Sequence, residues 1–412
     1  MKETAQTIND LIAAGDIKKA DVLLAKTLRN DLSDDERVEL LVLRARVRLL
    51  SERPEDALDD IATATTLDPH TEYAPHILEL KAECYFARFE MAVPGFADRA
   101  DTQRAVELYQ RILQSHPSYA NVGWIYYQLG RISVTANIID EALQYFHQAL
   151  LNPSSVRALT AYCYERLGFI AYYEQRDLEK ALAFLNRAID TYPADENRRW
   201  LVQVHILKSR ILRATGDTEG ALRSIDLALA ALSGADTKVA SAEVLLAAGE
   251  IYAEMPGRDR DVIGYLQQFT QAAKRPPGVD VTWSRVNEML GNAFFNLGQY
   301  ENAVSAYQSA LNFNPDHPWA LSLYYRIARS HYQQRMYQSV VDTIREMEQV
   351  AVAEAQSIED YRVYDILGNA LFALRRYEQA VEAYGQALRI APTNAENLSK
   401  IKSYYDLARE LI

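Results

Sequence analysis

The residues of this chain that could do covalent chemistry are few and scattered. Seven histidines, His70, His76, His116, His147, His205, His317 and His331, fall in separate segments. No stretch has the form of a glycine-rich phosphate loop ending in GK[ST], of HExxH, of CxxC or of GxSxG. Cys84 and Cys163 are far apart and each lies inside a helical pattern, so they read as buried free thiols. The carboxylate pairs Asp34-Asp35 and Asp59-Asp60 read as solvated charges at helix starts. The expectation is a protein that is not an enzyme and uses no metal or cofactor. What the chain does offer is the chemistry of recognition. Trp124, Tyr127, Arg131, Tyr172, Tyr173, Arg210 and Arg213 would suit an extended segment carrying carboxylates, with arginine forks pairing the acids and rings covering apolar positions. That requires elements that bring distant segments side by side.

The stretch Ser284 to His317, SRVNEMLGNAFFNLGQYENAVSAYQSALNFNPDH, shows what those elements are. Counting from Gly291, Phe294 stands three residues on, Ala303 twelve, Tyr307 sixteen, Ala310 nineteen and Pro315 twenty-four. The small residues Gly291 and Ala303 are expected where two helices cross closely, and Phe294 and Tyr307 in the wider gaps beside the crossing. Gly298-Gln299 divides the stretch into two amphipathic segments too short to be stable alone, and Pro315 stops the second. The unit is an antiparallel helical hairpin. Tyr361 to Asn394 repeats it, with Gly368, Leu371, Ala380, Tyr384, Ala387 and Pro392 at the same offsets.

These offsets, with LG at the start and NP at the end, resemble the tetratricopeptide repeat, whose period is about 34 residues. Degenerate copies fill most of the remaining chain: Glu3 to Arg29, Asp35 to Pro69, Tyr73 to Pro117, Gly123 to Pro153, Ala161 to Pro193, Val202 to Leu232, Ala242 to Arg275 and Leu321 to Met347. The third copy carries an inserted loop, residues 92–101. Ala395 to Ile412 reads as a capping helix over the last apolar face. The expected fold is therefore all-α, a right-handed superhelical solenoid of about ten antiparallel hairpins with a C-terminal cap. KRPPGVD, Lys274 to Asp280, is the expected boundary between an N-terminal block, 1–275, and a C-terminal block, 281–394, within one continuous solenoid.

Composition narrows the partners. Only 16 glycines and 13 prolines, mostly at turns, favour helices, and a net charge of −12 argues against nucleic acid or an anionic membrane as the main partner. No run of 18 apolar residues occurs, so membrane insertion is not expected, and a cytoplasmic setting is.

In the tetratricopeptide family the outer-lying face of the first helix of each hairpin lines a concave groove, and the resemblance implies the same here. Carried over by offset, the groove set is Trp124, Tyr127 and Arg131; Tyr162, Glu165, Phe169, Tyr172 and Tyr173; Gln203, Arg210 and Arg213. It continues with Arg285, Glu288, Asn292, Phe295 and Asn296; Tyr325, Arg329, Tyr332 and Gln333; and Arg362, Asp365, Asn369 and Phe372. In the family an asparagine at the place of Asn292 and Asn369 often holds the backbone of a bound peptide. A family variant clamps the terminal carboxylate of chaperone tails with lysines and asparagines, but Glu288 stands where that clamp uses a lysine. Tyr109, Phe146, Tyr307 and Tyr384 sit at core offsets and are expected to be structural. The expected function is a non-catalytic scaffold that binds a peptide or extended segment of a partner protein, possible ligands including an acidic segment. The alternative is a regulatory sensor whose groove takes a small signalling peptide or metabolite.

Overall fold

A computed structural model describes residues 2–92, 98–196, 198–232, 238–395 and 397–412; residues 93–97 of the expected loop thus lie outside the described residues. The described chain is helical, and it groups into two compact units, Met1–Glu196 and Asn197–Ile412. In the first unit, α1 (Lys2–Ala13) pairs with α2 (Ile17–Thr27), α3 (Asp34–Leu50) with α4 (Pro54–Leu67), and α5 (Pro75–Met91) with α6 (Arg99–Ser115). Then α7 (Val122–Thr135) pairs with α8 (Ile139–Leu151), and α9 (Leu159–Tyr173) with α10 (Leu178–Thr191). In the second, α11 (Arg199–Ala214) pairs with α12 (Thr218–Ala231), α13 (Lys238–Ala253) with α14 (Asp259–Ala272), and α15 (Val281–Asn296) with α16 (Tyr300–Phe313). The remaining pairs are α17 (Ala320–Gln333) with α18 (Tyr337–Ala353) and α19 (Tyr361–Ala373) with α20 (Tyr377–Ile390), after which α21 (Leu398–Glu410) packs on α20. Among the described residues, ten hairpins and a final helix match the count that the offsets predict.

The turns follow from the sequence. At the end of α15, Gly298 takes φ +73, and the amide of Gln299 donates to the carbonyl of Phe294 at 2.8 Å, closing the helix on its own last turn. The same turn after α19 places Arg375 at φ 59, with Arg376 N donating to Leu371 O at 2.9 Å. A non-glycine side chain there tolerates a costly backbone, so the packing of the flanking helices must hold it.

The core glycines also make room for rings. A Cβ at Gly291 would lie 2.5 Å from the Tyr307 ring, which occupies the space above the glycine. Gly368 bears the same relation to Tyr384, and Gly130 to Phe146. Tyr109, Phe146, Tyr307 and Tyr384 are all buried, so the small residue on the first helix is the socket for the large one on the second.

The expected boundary at Lys274 to Asp280 lies inside the second unit. One apolar cluster runs across it, from Leu266 and Phe269 to Trp283 and Phe313, and the amide of Asp280 donates to the Phe313 carbonyl at 2.8 Å. The prolines end α14 without separating what they join, because rings on both sides share one core.

Asp34 and Asp35 are exposed in the first turn of α3, behind the Ser33 capping box. Asp60 corrects the reading of its pair: it is buried, and its carboxylate takes Arg44 Nε at 2.9 Å and Arg48 Nη1 at 2.8 Å. Asp60 lies one turn beyond the start of α4, facing α3, where two arginines four residues apart straddle it. Asp101, also buried, pairs with Arg88 of α5 and with Arg104 one turn along its own helix. Cys84 and Cys163 are buried free thiols whose pKa burial lifts to about 12. No helix among the described residues is long and apolar enough to cross a membrane.

Candidate functional site

The candidate groove residues stand on the first helices, and in each unit they are linked sideways from one first helix to the next. In the first unit, Trp124 Nε1 on α7 donates to Glu83 on α5 at 2.7 Å. Arg131 pairs with Glu90 and lies over the Phe86 ring at 4.9 Å. Tyr127 packs between Trp124, Phe146 and Tyr162, with ring centroids 5.1, 5.8 and 6.1 Å away. Burial of Tyr127 and Glu165 corrects the expectation that they face a ligand: one is a ring within the aromatic stack, the other is held by Arg166 at 2.5 Å. Phe169, Tyr172 and Tyr173 form a half-buried group at the end of α9, with centroid separations of 4.5 and 4.7 Å.

In the second unit, Glu250 on α13 sits between Arg213 of α11 at 3.1 Å and Arg285 of α15 at 3.3 Å. Asn296 donates to Asp259 at 2.8 Å, and Arg210 is half-buried on α11. Asn292 Oδ1 accepts from Tyr307 Oη at 2.8 Å and from Arg326 of α17. Asn369 is held in the same way, accepting from Tyr384 Oη at 3.1 Å while donating to Asp365 at 2.9 Å. Arg329 lies over the rings of Phe295 and Tyr325 at 5.0 and 5.8 Å, and Arg362 over Tyr325 at 5.7 Å while pairing with Asp360. Tyr332 turns to Tyr337 on its own hairpin, edge on, at 5.8 Å. Glu288, half-buried, stands 3.8 Å from His317 Nε2. The seven-residue strip is thus divided, five members in the first unit and Arg210 and Arg213 in the second.

The sequence reading missed the glutamates that neutralise these arginines, as well as Arg326 and Trp319. A signal for the glutamates exists. Glu83 follows Ala82 by one and meets Trp124, six before Gly130; Glu250 follows Gly249 by one and meets Arg285, six before Gly291. Neighbouring first helices therefore touch through a fixed pair of offsets. An acidic chain fills one of them with glutamate.

These arrays of hairpins match a known repeat. A model described as "Tetratricopeptide repeat" matches residues 361–394 and another 160–195, and one described as "TPR repeat" matches 291–334. The chain is a tetratricopeptide repeat protein. Small glutamine-rich tetratricopeptide repeat-containing protein 2 of Mycosarcoma maydis is 27% identical over 119 residues, 29% of this chain and 31% of that one. The Hsp70-Hsp90 organising protein of Plasmodium falciparum is 24% identical over 103 residues, 25% of this chain and 18% of that one. The tetratricopeptide repeat chain therefore matches less than a third of either relative's length. Its fold is shared with the apo form of the quorum sensor NprR from B. thuringiensis, with a TM-score of 0.55 and 15% identity over 76% of this chain and 86% of that one. The repeats support a role in protein–protein interaction.

The first unit of this tetratricopeptide repeat protein also holds a titrating group in its first-helix face. Glu79 on α5 accepts from Tyr119 Oη and Asn121 Nδ2, both at 2.5 Å. Burial, reinforced by the nearby Glu83 carboxylate, raises its pKa to about 7 against the partial opposition of these bonds and of Arg46. Because the folded pKa is the higher one, protonated Glu79 favours the fold below the unfolded value of about 4.5, and that contribution is lost as pH rises to about 7. Glu79→Gln keeps the shape without the charge. It is expected to raise stability by about 1–3 kcal/mol at pH 8 and to change little at pH 4, as urea midpoints at the two pH values would show. Equal effects at both would assign Glu79 an unshifted pKa.

Proposed function

We propose that the first-helix face of the second unit binds an extended segment of a partner protein. One observation carries the reading: α15, α17 and α19 join their aromatic and cationic side chains laterally, Phe295 to Arg329 to Tyr325 to Arg362, so that successive repeats offer a continuous strip. An extended peptide presents its side chains in a row too, and guanidinium groups stacked on rings can meet carboxylates while the rings cover apolar positions. Asn292 and Asn369 belong to this strip, held by tyrosine hydroxyls and therefore pre-set before any ligand arrives. Arg285, Asn296 and Tyr332 extend it, and the first unit's Trp124, Arg131, Tyr162, Phe169, Tyr172 and Tyr173 form a second candidate face.

The relative named as an organiser of Hsp70 and Hsp90 supports a scaffold, although Glu288 beside His317 leaves no lysine clamp for a chaperone tail at this position. Two buried thiols suit a cytoplasmic setting.

The test is a randomised array of twelve-residue peptides probed with the full chain, followed by hydrogen exchange with the best binder. Exchange is expected to slow on α15, α17 and α19 more than on α16, α18 and α20. Protection of the second helices instead would place binding on the opposite face. An array without binders, together with a small mass released on denaturation, would favour the sensor that the likeness to the quorum sensor suggests.

A further inference from the structure

Within the second unit, a cleft of about 570 Å³ opens between the start of α17 and the segment leading into α19. Trp319, Tyr325, Arg326, Arg329, Ile358 and Arg362 line it. Trp319 is 69% exposed, which is unusual for so large an apolar ring, and Arg329 is exposed as well. The charges in the cleft do not cancel. Arg362 is answered by Asp360 and Arg326 is engaged by Asn292, whereas among the described residues no carboxylate lies within salt-bridge reach of Arg329. Elsewhere on these faces Arg131, Arg213 and Arg285 each have a glutamate. In a chain of net charge −12, a guanidinium held on two aromatic faces and left without an acid is an anion site awaiting its partner.

We propose that this cleft takes one aspartate or glutamate side chain of a partner segment, its carboxylate on Arg329, with an adjoining large apolar residue against Trp319 and Ile358. The proposal rests on the peptide-binding reading above and deepens it by naming the chemistry recognised. Carboxylate is favoured over phosphate because Glu359 and Asp360 also line the cleft, and their charge would repel a dianion more than a monoanion. Apolar company is favoured because the exposed Trp319 ring, Leu321 and Ile358 also line the cleft.

The experiment uses the full chain labelled with 5-fluorotryptophan, its Trp319 resonance assigned by Trp319→Phe. The probes are three blocked heptapeptides: Gly-Ser-Glu-Leu-Glu-Ser-Gly, the same with glutamine for glutamate, and the same with phosphoserine for glutamate. The glutamate peptide is expected to shift the Trp319 resonance and to bind at least tenfold more tightly than the glutamine peptide. Arg329→Gln is expected to remove that preference, and Arg329→Lys to retain part of it, with helix content unchanged by circular dichroism in both. The proposal is overturned if Arg329→Gln binds the glutamate peptide normally, if phosphoserine binds more tightly than glutamate, or if Trp319 does not respond. Shifts confined to the other tryptophans would sink the cleft alone and leave the peptide-binding reading intact, whereas failure of the array would sink both.

Discussion

Gly291→Leu is expected to cost about 3 kcal/mol or more and to loosen only part of the molecule. The glycine's missing Cβ is filled by the Tyr307 ring, two of whose carbons would lie 2.5 Å from an added methyl. The ring cannot swing away cheaply, because Tyr307 is 2% exposed and its hydroxyl is tied to Asn292. A helix interior gains about 1 kcal/mol from losing glycine, too little to offset the clash. Gly264→Ala is the control: it has open space around its Cα and should stabilise by that helix-propensity gain. Since each hairpin rests on its neighbours, hydrogen exchange should rise in α14 to α17 and remain unchanged in α3 and α4. A rise spread evenly over the chain would contradict that nearest-neighbour stability. The third hairpin has a different residue at this place. Ala82 stands there, and the buried hydroxyl of its partner Tyr109 has no hydrogen-bond partner among the described residues, although Glu83 occupies the position of Asn292.

The hairpins were legible because each is a local device. Glycine and alanine at fixed offsets, an aromatic on the second helix and a left-handed turn between them are all set within about 34 residues. Lateral contacts are not. Which residue of α5 meets Trp124 depends on the rotation between one hairpin and the next, a property of the stacked pair that no single repeat states. That is why the groove arginines could be placed on the first helices while Glu83, Glu90 and Glu250, which hold their partners, were overlooked. Trp319 escaped for another reason: it caps the start of α17, outside the stretch that the family offset covers. The boundary at Lys274 to Asp280 was read from prolines, which report where a helix stops and not whether the rings on either side share a core.

Asp60→Ala is expected to destabilise the first unit by about 3–5 kcal/mol, among the largest single effects in the chain. The wild-type carboxylate is nearly inaccessible, its side chain 3% exposed, and it accepts from Arg44 through two bonds of 2.9 and 2.6 Å and from Arg48 through one of 2.8 Å. Its removal leaves two guanidinium groups facing each other. They are 23% and 21% exposed, so both can turn partly to water, which holds the cost toward the lower end of that range. Arg48 has less freedom, since it also donates to the Asp56 carbonyl at 2.9 Å and its Nε is already buried without a partner. Because the charge left behind carries the penalty, Asp60→Ala combined with Arg44→Met and Arg48→Leu should recover most of the loss, and urea midpoints of the single and triple variants would measure both. High salt should shrink the single variant's deficit only in part, since the two guanidinium groups are 23% and 21% exposed while the site they leave is buried. A deficit below about 1 kcal/mol, abolished by salt, would mean that Asp60 behaves as a surface charge after all, the reading its place beside Asp59 first invites.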